Sequence, residues 1–199
     1  MSIKTTVITL LASFNVVAQP PVAISASVPP HQVSQQELHQ PQITPLLDDT
    51  YQANRKVIYQ CEDTTEKCWT QQEKDAAIFT ELKTLFMVGA LKCRHDDKFN
   101  TVKSYNLFVT SNLELIKDSQ AIAISHFAKQ TPENPKLGDR KYDQFLTRLA
   151  NLYSLASSYT PMTVYCANIG QRFELLQKYD PSPNGMIKAS YDLTGHSKP

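Results

Sequence analysis

The chain of 199 residues holds only five glycines and a single tryptophan. No hairpin dipeptide such as Asn-Gly separates two alternating apolar runs; Asn184-Gly185 lies in a Pro-rich stretch instead. Tight β-hairpins depend on such turns, so an all-β architecture finds no support. No segment reaches the ~20 consecutive apolar residues of a membrane-spanning helix. Neither sign of charge prevails, with 20 Lys and Arg against 19 Asp and Glu. Nucleic acid is thereby disfavoured as a partner, because it calls for a concentrated basic footprint. Anionic lipid is disfavoured for want of a polybasic cluster. The Gly-x-Ser-x-Gly elbow, the His-Glu-x-x-His pair and Ser-x-x-Lys with its partner motifs are all missing. No catalytic or cofactor-binding residue is assigned, and no cofactor is expected.

What is present begins with an export signal over residues 1–18. Lys4 supplies the positive start, and Val7, Ile8, Leu10, Leu11, Ala12 and Phe14 supply the apolar run. Val16 and Ala18 are the small residues a signal peptidase accepts, which predicts cleavage after Ala18. Loss of this segment removes one lysine and no acid, so the formal charge falls from +1 to zero. Residues 19–45 are rich in glutamine and carry Pro20, Pro21, Pro29, Pro30, Pro41 and Pro45. Such a stretch buries too little apolar area to offset its ordering entropy, which predicts a disordered linker. Residues 46–180, about 135 in number, suit one domain with a single core. Residues 181–199 read as a flexible tail.

Helical periodicity dominates the domain. Ile78, Leu82, Leu85, Phe86, Gly89 and Cys93 recur at spacings of three and four, which predicts a helix from about Gln71 to Cys93. Gly89 within that stripe marks a place where a second helix approaches closely. Asp96 or Asp97 is the expected cap of the second helix, whose stripe runs from Phe99 to Phe127 with a bend near Ser111–Asn112. "TPENPKLGD" ends it. A third helix is predicted from Arg140 to Ser157, and a fourth opens at Thr160-Pro161 and stops at Asp180-Pro181. The fold class expected is all-α, an up-down four-helix bundle.

In such a bundle the first helix ends at the pole where the fourth begins, which brings Cys93 to Cys166. Cys61 and Cys68, six residues apart in "CEDTTEKCW", would close a small loop before the first helix. Four cysteines allow three pairings, and the topology favours 93–166 with 61–68 in an oxidising compartment.

Cys93, His95, Asp96 and Asp97 have metal-ligand chemistry, but no second Cys or His pair at zinc spacing accompanies them. A helix-to-helix turn with an aspartate cap is the expectation, and no metal ligand is assigned. His126, near a helix end, is expected to meet the last carbonyls. Trp69 is expected to cover the Cys61–Cys68 loop. Tyr142, Tyr153 and Tyr165, with Tyr159 and Tyr179, form an aromatic set that would either line a ligand cleft between the third and fourth helices or sit in the core.

The run "LFMVGALKCR", then "YNLFV", "YDQFLTRLANLYS" and a lone cysteine after a short gap, is similar to a family of small exported, disulfide-containing helical proteins of alphaproteobacteria. The similarity spans Leu82 to Cys166 and implies a fold and a periplasmic or secreted compartment. That family carries no catalytic residues to transfer. The function expected is therefore a non-catalytic interaction or structural module of the bacterial envelope, its partner another envelope or secreted protein. The alternative is a periplasmic carrier of a small apolar or aromatic ligand held between helices.

Overall fold

The computed structural model describes residues 68–95 and 97–197. The expected export signal and linker, with Cys61 and Asp96, lie outside them. Among the described residues there are six α-helices and no strand: α1 (Gln71–Lys92), α2 (Thr101–Ser111), α3 (Leu113–Lys129), α4 (Leu137–Tyr159), α5 (Met162–Leu176) and α6 (Pro183–Thr194). A 3₁₀ turn, Asp97–Phe99, precedes α2.

α1 starts with a reciprocal cap. The Thr70 hydroxyl accepts from the Glu73 N–H at 3.3 Å, and the Glu73 carboxylate accepts from the Thr70 N–H at 2.8 Å. The helix then runs through the middle of the domain. Every residue from Ala76 to Leu82 is buried, nearly two full turns, so that stretch has no solvent face. α1 packs against α2, α3, α4, α5 and α6. The expected single stripe is thus a surface buried all round, the pattern of a helix enclosed by others. Thr80 and Thr84 are tolerated inside because each hydroxyl donates to the carbonyl four residues back, at 2.9 Å.

Gly89 does allow a close crossing. A Cβ there would stand 2.8 Å from the Ile169 side chain of α5. Four residues on, Cys93 and Cys166 form the expected disulfide, with Cα atoms 5.6 Å apart across 73 residues of sequence. Cys68 is also disulfide-bonded.

The helix count differs from expectation in two places. The bend near Ser111–Asn112 is a full break, where the Asn112 amide donates to the Phe108 carbonyl at 2.8 Å and separates α2 from α3. The stretch 181–199, read as a flexible tail, contains α6. Ser182 accepts from the Gly185 N–H at 3.2 Å, Pro183 occupies the first turn, and Gly195 closes the helix at φ 78°. Met186, Ala189, Tyr191 and Leu193 bury one face of it. Two further boundaries move. α2 starts after Asn100, which adopts the left-handed conformation, while Asp97 opens the 3₁₀ turn. α5 starts one residue after Pro161, and the Thr160 hydroxyl instead donates to Ala156 at the end of α4.

Candidate functional site

The chain segments divide between two ends of α1. At its last turn, the Cys93–Cys166 bond draws together the end of α1, the start of α2 and the junction of α4 with α5. Six of the exposed large apolar side chains fall in those segments, Leu91, Val102, Leu155, Tyr159, Met162 and Val164, with Tyr159 80% exposed, while Leu107 and Leu113 lie outside them, around the α2–α3 break. A surface concavity of about 360 Å³ opens beside the disulfide, lined by Cys93, Arg94, Asn100, Thr101, Val102, Lys103 and Asn106. The stretch with candidate metal chemistry therefore ends here. Its cysteine is bonded, and the exposed His95 accepts at Nε2 from the Arg94 side chain at 2.9 Å. Among the described residues no three His, Cys, Asp or Glu side chains gather as a metal site would require.

At its first turn, α1 meets the end of α3 through a charged network in which Glu73 and His126 are buried and Lys129 is largely exposed. Glu73 Oε2 lies 3.1 Å from His126 Nδ1, and Glu73 Oε1 accepts from Lys129 at 2.9 Å. His126 Nε2 lies 2.8 Å from the Gln130 amide nitrogen. A neutral imidazole protonated on Nδ1 satisfies both contacts, donating to Glu73 and accepting from Gln130. Trp69 stacks on the His126 ring, with centroids 3.6 Å apart. Burial alone would raise the Glu73 carboxyl, but the Thr70 N–H, Lys129 and His126 together hold it at about 2. His126 is pushed below its ordinary value by burial, opposed in part by Glu73 and reinforced by Lys129. This histidine thus does not serve the last carbonyls of its helix; it bridges two helices.

Halfway along α1 lies a second buried carboxylate. Glu81 is fully enclosed; Tyr153 O–H donates to Oε1 at 2.5 Å, and His196 Nε2 lies 2.7 Å from Oε2. The trio ties α1 to α4 and to the residues after α6, where the His196 side chain is 19% exposed. Nothing in the sequence spacing revealed it, because its members are 72 and 115 residues from Glu81.

The structure splits the three candidate cleft tyrosines. Tyr142 belongs to a small cluster with Trp69, Phe145 and Leu149, whereas Tyr153 and Tyr165 belong to the larger core. All three are at most 3% exposed, and none lines the concavity beside the disulfide. The Tyr165 hydroxyl has no hydrogen-bond partner among the described residues, and burial pushes it up to about 12 against the opposing Arg172 charge. Tyr159 points to solvent at the end of α4, and Tyr179 donates to Asp192 at 2.9 Å. Trp69, adjacent to the bonded Cys68, buries its ring against His126 and Phe127.

No family model matches the chain, and neither the curated proteins nor the solved structures give a match. No helix among the described residues is long and apolar enough to cross a membrane.

Proposed function

We propose that the protein is an exported, non-catalytic helical module of the bacterial envelope that docks on another envelope or secreted protein through its disulfide pole. The observation that carries this reading is that six of the eight exposed large apolar side chains among the described residues fall in the segments that the Cys93–Cys166 bond joins. Single exposed apolar residues are ordinary on any surface, but a group of them at one end of a domain marks an interaction site. Export is supported by the signal-like first eighteen residues and by the disulfide bond, which persists in oxidising compartments. The glutamine- and proline-rich residues 19–45 would then tether the domain. The similarity over Leu82 to Cys166 belongs to the same proposal.

An up-down course of α1, α2 with α3, α4 and α5 fits this picture. The end of α3 meets the start of α1 through His126 and Glu73, the start of α4 reaches the same region through Phe145 and Trp69, and α5 begins where α1 ends. α6 is an addition to the four passes.

A photo-crosslinking residue placed at Tyr159 tests the docking surface, with the exposed Glu133 at the far pole as the control position. The expected result is one envelope protein captured from position 159, absent from position 133, and lost on Met162→Lys. Equal capture from both positions, or none from 159 in exporting cells, overturns the reading. The exported form should begin at Gln19 by mass measurement.

A further inference from the structure

The concavity of about 360 Å³ beside the disulfide includes the start of α2. We infer that it is a binding site for a phosphate group. The first N–H groups of any helix find no acceptor within it. In α2 these belong to Thr101, Val102 and Lys103, since the helix's own bonding begins with Ser104, whose N–H donates to the Asn100 carbonyl at 3.0 Å. The Asn100 side chain does not cap them, and the first turn holds no acid. Lys103 stands in that turn instead, at the positive end of the helix dipole, where a cation by itself is unfavourable. Asn100, Val102 and Lys103 are all exposed, so the residues that carry this helix start reach solvent.

A second observation at the same place is independent of the helix end. Thr101 lines the concavity, is 1% exposed, and its hydroxyl has no hydrogen-bond partner among the described residues. Buried hydroxyls are nearly always paired, so an orphan on the wall of an opening marks a partner that arrives from outside the chain. Arg94 and Lys103, also in the lining, have no ion-pair partner among the described residues. Arg94 engages only its Nε, on His95 at 2.9 Å, which leaves its terminal nitrogens for a ligand. Among the described residues no acidic side chain lines the concavity.

The donor set selects the ligand. Three N–H groups, a hydroxyl and two cations share one opening with the amides of Asn100 and Asn106. A carboxylate has two oxygens and one charge, and would leave part of this set unused. A phosphate monoester has three terminal oxygens and about two negative charges, which balance Arg94 and Lys103. Helix starts bind phosphate for the same reason elsewhere. A cavity of about 150 Å³ accepts benzene, so about 360 Å³ accommodates a phosphate with a small organic substituent.

The site needs no partner protein, so the purified, disulfide-intact full chain tests it apart from the docking proposal. Inorganic phosphate, glycerol phosphate and acetate are titrated at fixed pH and ionic strength. The backbone amide resonances of Thr101, Val102 and Lys103 and the calorimetric heat report binding. Phosphate should move those resonances saturably with one-to-one stoichiometry, and acetate should bind at least about tenfold more weakly. Tighter binding of glycerol phosphate than of inorganic phosphate assigns the site to a monoester, and equal or weaker binding assigns it to the free ion. Arg94→Gln and Lys103→Gln should each weaken phosphate about tenfold, one charge-assisted contact being removed. Both positions are exposed, so these variants should keep the melting temperature of the parent. Thr101→Val keeps the shape and removes the hydroxyl; it should weaken phosphate while the phosphate-free urea midpoint falls no lower than the parent's. The inference is overturned if phosphate moves none of the three resonances saturably, if acetate equals it, or if both glutamine variants bind it unchanged. Binding that appears only in Asp96→Asn or Asp97→Asn also overturns it, because the chain's own carboxylates would then hold the place.

Discussion

The two ends of α1 solve the same problem by opposite means. At its last turn a covalent bond holds α5 in place, and the surrounding surface mixes exposed apolar side chains such as Leu91 and Val102 with the exposed Arg94 and Lys103. At its first turn, just after the bonded Cys68, α1 is joined to α3 by a carboxylate, an imidazole, an ammonium group and an indole ring that interlock. The contrast follows from what each device demands. A disulfide acts chiefly by restricting the unfolded chain, so it needs no enclosing surface. A buried ion network has to be shielded and fully partnered, because a lone charge removed from water costs several kcal/mol. The disulfide pole is therefore free to offer its surface to a partner, whereas at the other pole the side chains that close the network are committed to each other.

The largest effect should come from breaking the covalent end. Replacing both cysteines, Cys93→Ala with Cys166→Ala, opens a loop spanning 73 residues. The chain-entropy account gives about 4 kcal/mol for a loop of that length. Urea denaturation of oxidised parent and double variant should show a loss of that order. A loss below about 1 kcal/mol would mean that the packing of Phe86 on Phe173 holds this pole by itself.

This pole was the more legible of the two in the sequence. Cys93 and Cys166 each fell on an apolar stripe, and helix order alone brought them together. Gly89 was legible for the same reason, since a glycine inside an apolar stripe has few other uses. The opposite pole hid its logic in pairs such as Glu73 with His126, 53 residues apart, which no periodicity connects. Part of it was nonetheless written locally: Thr70 followed by Glu73 is a capping box. α6 was also spelled out, by Ser182 at the cap, Pro183 in the first turn and Gly195 at the end. It was mistaken for a tail because Pro181, Pro183 and Asn184-Gly185 are equally the signals of a loop. Tertiary burial of Met186, Tyr191 and Leu193 decides between the two, and a single chain read in one dimension carries no such information.

The second prediction sharpens the contrast by titration. Glu73 is held at about 2 against an ordinary 4.5, so its contribution is complete above about 4.5 and disappears as the pH falls towards 2. A shift of that size corresponds to about 3 kcal/mol when fully expressed. His126 is held below its ordinary 6.5, so keeping it neutral stabilises the fold above 6.5, and this part declines as the pH drops below that value. Both groups therefore act in one direction, and acid should loosen the network pole while leaving the disulfide intact. Urea midpoints followed by Trp69 fluorescence at pH 7, 5 and 3 should fall in two stages. Glu73→Gln preserves the capping box and should flatten the stage below pH 4.5. An unchanged acid limb in that variant would assign the loss to other carboxylates.

The smallest effect concerns the close crossing beside the disulfide. A methyl group at position 89 would meet three atoms of Ile169, at 2.8 to 3.0 Å, and Ile169 itself is fully enclosed. Replacing glycine inside a helix would otherwise help by about 1 kcal/mol, so propensity and crowding oppose each other in Gly89→Ala. Overpacking of an enclosed side chain costs about 1–3 kcal/mol, which should leave the variant destabilised by about 1 kcal/mol. Ile169→Ala alone should cost more, because it opens a cavity in the larger core. The decisive quantity is their combination. If the two helices touch at this point, the new methyl occupies part of the space vacated by the isoleucine, and the double variant should be more stable than the sum of the two single changes by at least about 0.5 kcal/mol. Strict additivity would place the contact elsewhere, and would leave the disulfide as the feature that holds α5 against α1.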